Sequence, residues 1–280
     1  MTFDPGALGH SRSDLAAALK EQRRRAGWTQ IRLAKRCNMS QTKVSNIESG
    51  KLTPAIVDVE LILEALGAEG EPAAEILALA RSANTEWQDH WASRRRGLDK
   101  KQNELARLEA ATKEFRFFLL SMVTGLLATP DYVRASIADV SGDQSKTILK
   151  KLERQRVLLD AGKSFTFLLP EQAVRWPILP PLAMAMQWDR LASISRLPNV
   201  RLGVLPLAGH IPERPLNTFT VYDRRLASVE TSTGVLMLRD HRDVNAYRED
   251  FERYEGYAAW GEDCRRLLSD WSMIFTREHQ

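Results

Sequence analysis

The residues best suited to chemistry lie between Ser40 and Lys51, in the stretch SQTKVSNIESGK. Gln41, Thr42, Ser45, Asn46 and Ser49 recur at i, i+1, i+4, i+5 and i+8, a spacing that gathers them on one side of a helix. Val44, Ile47 and Glu48 take the other side. Amides and hydroxyls so arranged can donate to and accept from base edges in a major groove, while Lys43 and Lys51 stand where ammonium groups meet phosphates. The chemistry they suggest is hydrogen-bonded recognition of nucleic acid. A polar face that is merely solvated would show the same spacing, so the surrounding elements must decide.

Catalytic chemistry finds less support. Cys37 and Cys264 are isolated thiols, which fit a reducing cytoplasm better than a disulfide framework or a metal site. The histidines at 10, 90, 210, 241 and 279 show no ligand spacing. His210 follows Gly209 at an expected strand end, but HIPE (210–213) lacks the HxK of phosphodiesterases with a comparable sheet. DHRD (240–243) could gather a metal or phosphate, although Asp243 reads better as the cap of the last helical region. No Walker loop or GxGxxG occurs. No enzyme activity, cofactor or metal is therefore expected. With no apolar run approaching a membrane span and no signal-peptide layout, a cytoplasmic protein is expected.

Upstream of the polar stretch, Ser13 to Ala26 predicts a helix with Leu15, Ala18, Leu19 and Gln22 on one side and basic residues at its end, closed by Gly27. Thr29 can cap a second helix that turns Leu33 and Ala34 inward. A four-residue break, Cys37 to Ser40, then leads into the polar-faced helix, with Ser40 as its cap and Gly50 beyond its end. Two short helices joined so tightly leave the second projecting from the surface, as a helix-turn-helix requires. Pro54 and Asp58 introduce a fourth helix ending at Gly67. Glu71-Pro72 opens a fifth, whose apolar side is expected to run through Ile76, Leu77 and Ala80 to Trp87 and Trp91. Residues 1–54 hold ten Lys or Arg against four acids, and residues 55–93 hold one Arg against eight. The basic excess is thus confined to the first three helices, the footprint of a phosphate-binding surface.

The pattern Leu19, Arg23, Gly27, Thr29-Gln30, Leu33-Ala34, Ser40, Val44-Ser45, Ile47-Glu48, Gly50 and Pro54 resembles the Cro/Xre family of helix-turn-helix domains. That resemblance implies base reading by Gln41, Thr42 and Asn46. It places Gln30 on the DNA backbone and makes Arg23 and Glu48 a structural pair, while Lys43, Ser45, Ser49 and Lys51 are expected at the backbone from their places on and beside the polar-faced helix. Trp28 departs from the smaller apolar residue usual there, and its indole is expected to cover the first helix or to touch the DNA backbone.

A domain of residues 1–93 is expected, then a basic linker at 94–104 and a second domain over 105–280. The linker includes RRRGLDKK (94–101), readable as a solvated hinge or a contact with flanking DNA. In the second domain, Leu105 to Thr112 suggests a helix. FRFFLLSM (115–122), SFTFLL (164–169) and VRLGVL (200–205) read as buried strands. Helices are expected over Ser145–Ala161 and about Leu182–Ser195, and a hairpin at 217–222 and 226–230 turning at Asp223-Arg224. Asp243 to Ile274 is expected to be helical. The fold class is accordingly multidomain, an all-α five-helix unit followed by an α/β mixed sheet with a helical C-terminus.

The segments VTGLLATPDYVRA (123–135), ERQRVLL (153–159), QWDRL (187–191), PNVRLGVLPLAGH (198–210) and the strand at Glu230 resemble the C-terminal domain of WhiJ-type actinobacterial regulators. Relatives carry Pro and Gln at the positions of Thr124 and Ala128. The resemblance implies transcriptional control of development or secondary metabolism, with a small acidic partner protein encoded nearby. Together the two resemblances imply a repressor acting as a homodimer on a palindromic double-stranded operator, its second domain receiving a small acidic protein or a small ligand. The alternative is an antitoxin-like protein that sequesters a toxin and regulates its own operon.

Overall fold

The computed structural model describes residues 11–89 and 98–277. The chain divides into two compact units, Met1–Trp87 with Met237–Asp243, and Gln88–Leu236 with Val244–Gln280. This differs from a simple division near residue 93, because a distant segment joins the first unit.

The first unit contains α1 (Ser11–Arg25), α2 (Gln30–Arg36), α3 (Gln41–Glu48), α4 (Ile56–Leu66) and α5 (Glu71–Ala83). Thr29 Oγ1 accepts from Arg32 N at 3.2 Å and Ser40 Oγ from Lys43 N at 3.1 Å, so each short helix of the pair has a hydroxyl on an otherwise unsatisfied N–H. At the far end of α3 the chain turns at Gly50 with φ 71°, a conformation that a β-carbon would strain. Leu15, Leu19, Leu33, Val44, Ile47, Ile56, Val59 and Ile62 form one buried core. Each such side chain contributes about 1.5–3 kcal/mol by leaving water.

The fifth helix does not continue to Trp87 as its apolar spacing suggests. Asn84 ends it, its Nδ2 donating to Ala80 O and Pro54 O at 2.9 Å each. The chain then extends as β1 (Thr85–Asp89), where Trp87 is 42% exposed. Trp91 and residues 94–97 of the expected linker lie outside the described residues. Residues 98–104, expected as linker, belong to α6 (Leu98–Ala111).

The second unit continues with β2 (Glu114–Phe118), α7 (Pro130–Ala135), α8 (Ser145–Arg154), β3 (Ser164–Pro170), α9 (Glu171–Arg175), α10 (Pro181–Ile194) and β4 (Val200–Leu205). Then come β5 (Thr218–Tyr222), β6 (Leu226–Glu230), β7 (Gly234–Leu238), α11 (His241–Glu255), β8 (Ala259–Trp260) and α12 (Gly261–Arg277). Its strands lie in the order β7-β6-β5-β2-β3-β4-β8. β2, β3 and β4 are parallel, while β5 on β2, β6 on β5 and β8 on β4 are antiparallel. This is the mixed sheet with helical C-terminus that the alternating pattern implies. Phe115 stacks on Phe165 and Phe117 on Phe167, with ring centroids 4.6 and 4.7 Å apart. The opposite face carries Phe118 on Phe219 at 5.3 Å, beneath Tyr254 of α11. Such pairs add about 0.5–1.5 kcal/mol each beyond their burial.

Several boundaries differ from expectation for identifiable reasons. The strand expected to Met122 stops at Phe118; Leu119 N still donates to Leu168 O of β3 at 3.0 Å, and beyond it side-chain oxygens take over, Leu120 N donating to Thr218 Oγ1 and Val123 N to the Tyr132 hydroxyl. The helix expected to Ala161 tightens to a 3₁₀ turn at Gln155–Leu159, where the Gln155 amide donates to Gly125 O and Ala128 O. The last helical region begins before Asp243. Asp240 Oδ1 accepts from Arg242 N at 3.1 Å, so the capping carboxylate is Asp240 and Asp243 lies inside the first turn.

Candidate nucleic-acid interface

The polar side of α3 is built as the spacing implies. Val44, Ile47 and Glu48 are buried, Gln41, Thr42 and Ser49 are exposed, and Ser45 and Asn46 are half-buried. Lys51 is exposed just beyond the helix end. Among the described residues the side chains of Thr42, Ser45 and Asn46 make no hydrogen bond within the protein, which leaves their donors and acceptors for a partner.

Beneath this face sits the expected pair. Arg23 Nε lies 2.6 Å from Glu48 Oε1 and Nη2 2.8 Å from Oε2, while Nη1 donates to the Trp28 carbonyl at 2.5 Å. Burial works to raise the Glu48 carboxyl, but hydrogen bonds from Arg23 and Gln30 and the Arg23 charge outweigh it and hold the group below the usual carboxylate range. The same hydrogen bond raises the Arg23 guanidinium. A bidentate fork of this kind fixes α1 against α3 in both distance and rotation.

Two residues expected at the DNA backbone are turned toward the protein. Gln30 Nε2 donates to Glu48 Oε2 at 2.9 Å, and its Oε1 accepts from Gln41 Nε2 at 3.3 Å. A relay therefore runs from Arg23 through Glu48 and Gln30 to Gln41 and orients the Gln41 amide from the core. Lys43 Nζ pairs with Asp58 Oδ1 of α4 at 2.8 Å, because the first turn of α3 brings the ammonium beside that carboxylate. Sequence spacing places Gln30 on α2 and Lys43 on α3 but does not reveal these acceptors. Trp28 packs half-buried against the core, with the Arg32 guanidinium 4.2 Å above its ring.

Met237–Asp243 belongs to the same unit. Arg239 N donates to Asn84 O at 3.1 Å, Arg239 pairs with Glu86 and Arg242 with Glu60. No sequence signal could have found this, since the partners are more than 150 residues apart. Elsewhere, His210 makes no hydrogen bond or ion pair among the described residues, and no group of three or more His, Cys, Asp or Glu there could hold a metal.

A family model described as Domain of unknown function (DUF5753) matches residues 102–270, more than half of the chain. The chain belongs to the DUF5753 family. A second model, described as Helix-turn-helix domain, matches residues 14–76, which makes this DUF5753 protein a DNA-binding regulator of the helix-turn-helix kind. A search of curated proteins returned no match. Among solved structures, NucT from Helicobacter pylori is 9% identical over 62% of this chain and 97% of its own, at a TM-score of 0.38. A phospholipase D family member, Nuc from Salmonella typhimurium, is 11% identical over 63% of this chain and 97% of its own, at a TM-score of 0.36. TrmBL2, an archaeal chromatin protein, is 13% identical over 72% and 66%, at 0.31. Among the described residues of the DUF5753 protein, no helix is long and apolar enough to cross a membrane.

Proposed function

We propose that this protein is a cytoplasmic, sequence-specific transcriptional repressor that binds a palindromic operator as a homodimer. One α3 would enter each of two major grooves about one helical turn apart. The observation that carries this reading is the polar face of α3, where Gln41 and Thr42 are exposed near the helix N-terminus and the Asn46 amide makes no hydrogen bond within the protein. Those groups match the donors and acceptors by which bases are distinguished. Lys51 and Ser49 supply the backbone contacts, and Lys43 and Gln30 join them by exchanging their internal partners for phosphates.

The second unit receives the controlling signal by binding rather than catalysis. A small acidic protein could act with it as an antagonist, because the basic excess of residues 1–54 in the first unit offers such a protein a surface shared with DNA. Genome-wide mapping of bound DNA combined with a pull-down of the full chain tests both parts. Asn46→Ala is expected to lose about 1–3 kcal/mol at the mapped operator and to relax base preference, whereas Lys51→Ala weakens all sequences alike. If both substitutions reduce binding to operator and random duplex equally, α3 does not read sequence and the proposal fails.

A further inference from the structure

Trp28 and Arg32 form a feature of the first unit that the polar face of α3 does not account for. Trp28 stands between α1 and α2, and Arg23 holds its backbone at both ends. The Trp28 N–H donates to Arg23 O at 3.1 Å, and its carbonyl accepts from Arg23 Nη1 at 2.5 Å. Arg23 commits its other two nitrogens to Glu48 of α3. Two residues therefore tie the position of Trp28 to α3, and its ring packs half-buried against the core.

Arg32 lies in the first turn of α2, and its guanidinium sits 4.2 Å above the Trp28 ring. Helical side chains lean toward the N-terminus, and this stack carries the charge back past the Thr29 cap, to the end of α2 where Gln30 meets Gln41 of α3. Among the described residues the guanidinium closes no hydrogen bond or ion pair, and Arg32 is exposed. Its N–H donors are open while its position is held.

No carboxylate of α1 to α3 competes for that charge. Glu21 pairs with Arg25, and Glu48 is engaged by Arg23 and Gln30. Asp14 is in the first turn of α1, about three turns from the end that leads to Trp28. α2 itself carries Arg32, Lys35 and Arg36 and no acid. A free surface arginine gives up rotamer freedom when it binds, whereas one already seated on an aromatic face has given up part of it beforehand. A guanidinium so held suits a phosphate, whose oxygens its fork can meet with two hydrogen bonds.

We propose that Arg32 binds a phosphate of the DNA backbone beside the groove that α3 enters, and that Trp28 is the positioning residue that holds it there. The inference rests on the reading of α3 as the groove-entering helix and adds to it a contact outside that helix.

The test is fluorescence anisotropy of the full chain on the mapped operator and on a random-sequence duplex, over a range of sodium chloride. Arg32→Ala is expected to weaken both duplexes alike, about five- to tenfold at about 0.1 M salt, and to make the plot of log affinity against log salt shallower by about 1. Arg32→Lys keeps the charge, so the slope should return while part of the affinity stays lost. Trp28→Leu should weaken both duplexes about threefold at an unchanged slope, and Trp28→Tyr, which restores an aromatic face, should recover most of the loss. With Arg32 already replaced by Ala, Trp28→Leu should weaken binding no further, which separates positioning from a general loss of packing. A wild-type slope and affinity in Arg32→Ala would overturn the phosphate contact, and additive losses in the double variant would overturn the role of Trp28. Arg32 is exposed, so its variants decide the contact even where Trp28→Leu fails to fold. Lys51→Ala measured alongside keeps two failures apart. If it lowers affinity and slope while Arg32→Ala does neither, the Arg32 contact falls and the DNA reading stands; if the wild type binds neither duplex, both fall.

Discussion

Glu48 keeps a charged carboxylate with only 3% of its side chain exposed because Arg23 and Gln30 occupy its oxygens. Such a pair is weak evidence of net stabilisation, yet removing one member leaves the other buried without a partner. Glu48→Ala is therefore expected to cost about 3–5 kcal/mol, read as a shift of the denaturant midpoint at unchanged slope. Since folding holds Glu48 below its ordinary 4.5, the stability it contributes is present above that value and lost as pH falls through the folded one. Melting temperatures followed from about pH 7 to about pH 3 should fall more steeply for the wild type than for Glu48→Gln. The thiols behave oppositely. Cys264 is fully buried and burial pushes it up to about 12, and burial likewise raises Cys37. Neither is expected to react with an aromatic disulfide reagent at neutral pH until the chain unfolds, which timed absorbance measurements would show.

The elements that present α3 are defined by local rules: a hydroxyl cap at each start, a left-handed turn at Gly50, and apolar residues at helical spacing. Such features are legible in sequence because the interacting groups lie within four residues of one another. The sheet's parallel centre and the β5–β6 hairpin are legible for a similar reason, from apolar runs and a turn at Asp223, whose φ is 53°. β8 was not legible, because two residues carry no period. Its place depends on Gly203, where a β-carbon would stand 2.6 Å from the Trp260 ring. Gly203→Ala is expected to cost about 1–3 kcal/mol through that clash, and trimming the ring with Trp260→Leu should recover part of the loss in urea unfolding.

Over the whole molecule, the charge distribution matters more than the net +4. Its basic excess lies where α1 to α3 lie, so operator affinity should depend steeply on salt. A plot of log affinity against log salt, measured by fluorescence anisotropy, is expected to slope roughly −5 to −9 if about six to ten phosphates are neutralised. A slope near zero would mean that the basic face does not meet the DNA backbone. The chain's division into units also belongs to this scale. Met237–Asp243 completes the first unit through Arg239 and Arg242, which pair with Glu86 and Glu60.

The amino-acid order alone determined the helix-turn-helix, the polar side of α3, the Arg23–Glu48 pairing through its family pattern, and the mixed α/β character of the second unit. All but the pairing arise from short-range spacing. Only the tertiary structure decided that Gln30 bridges Glu48 and Gln41 and that Lys43 meets Asp58. Those outcomes depend on which carboxylate or ammonium is carried into reach when distant segments pack, and no local periodicity encodes that.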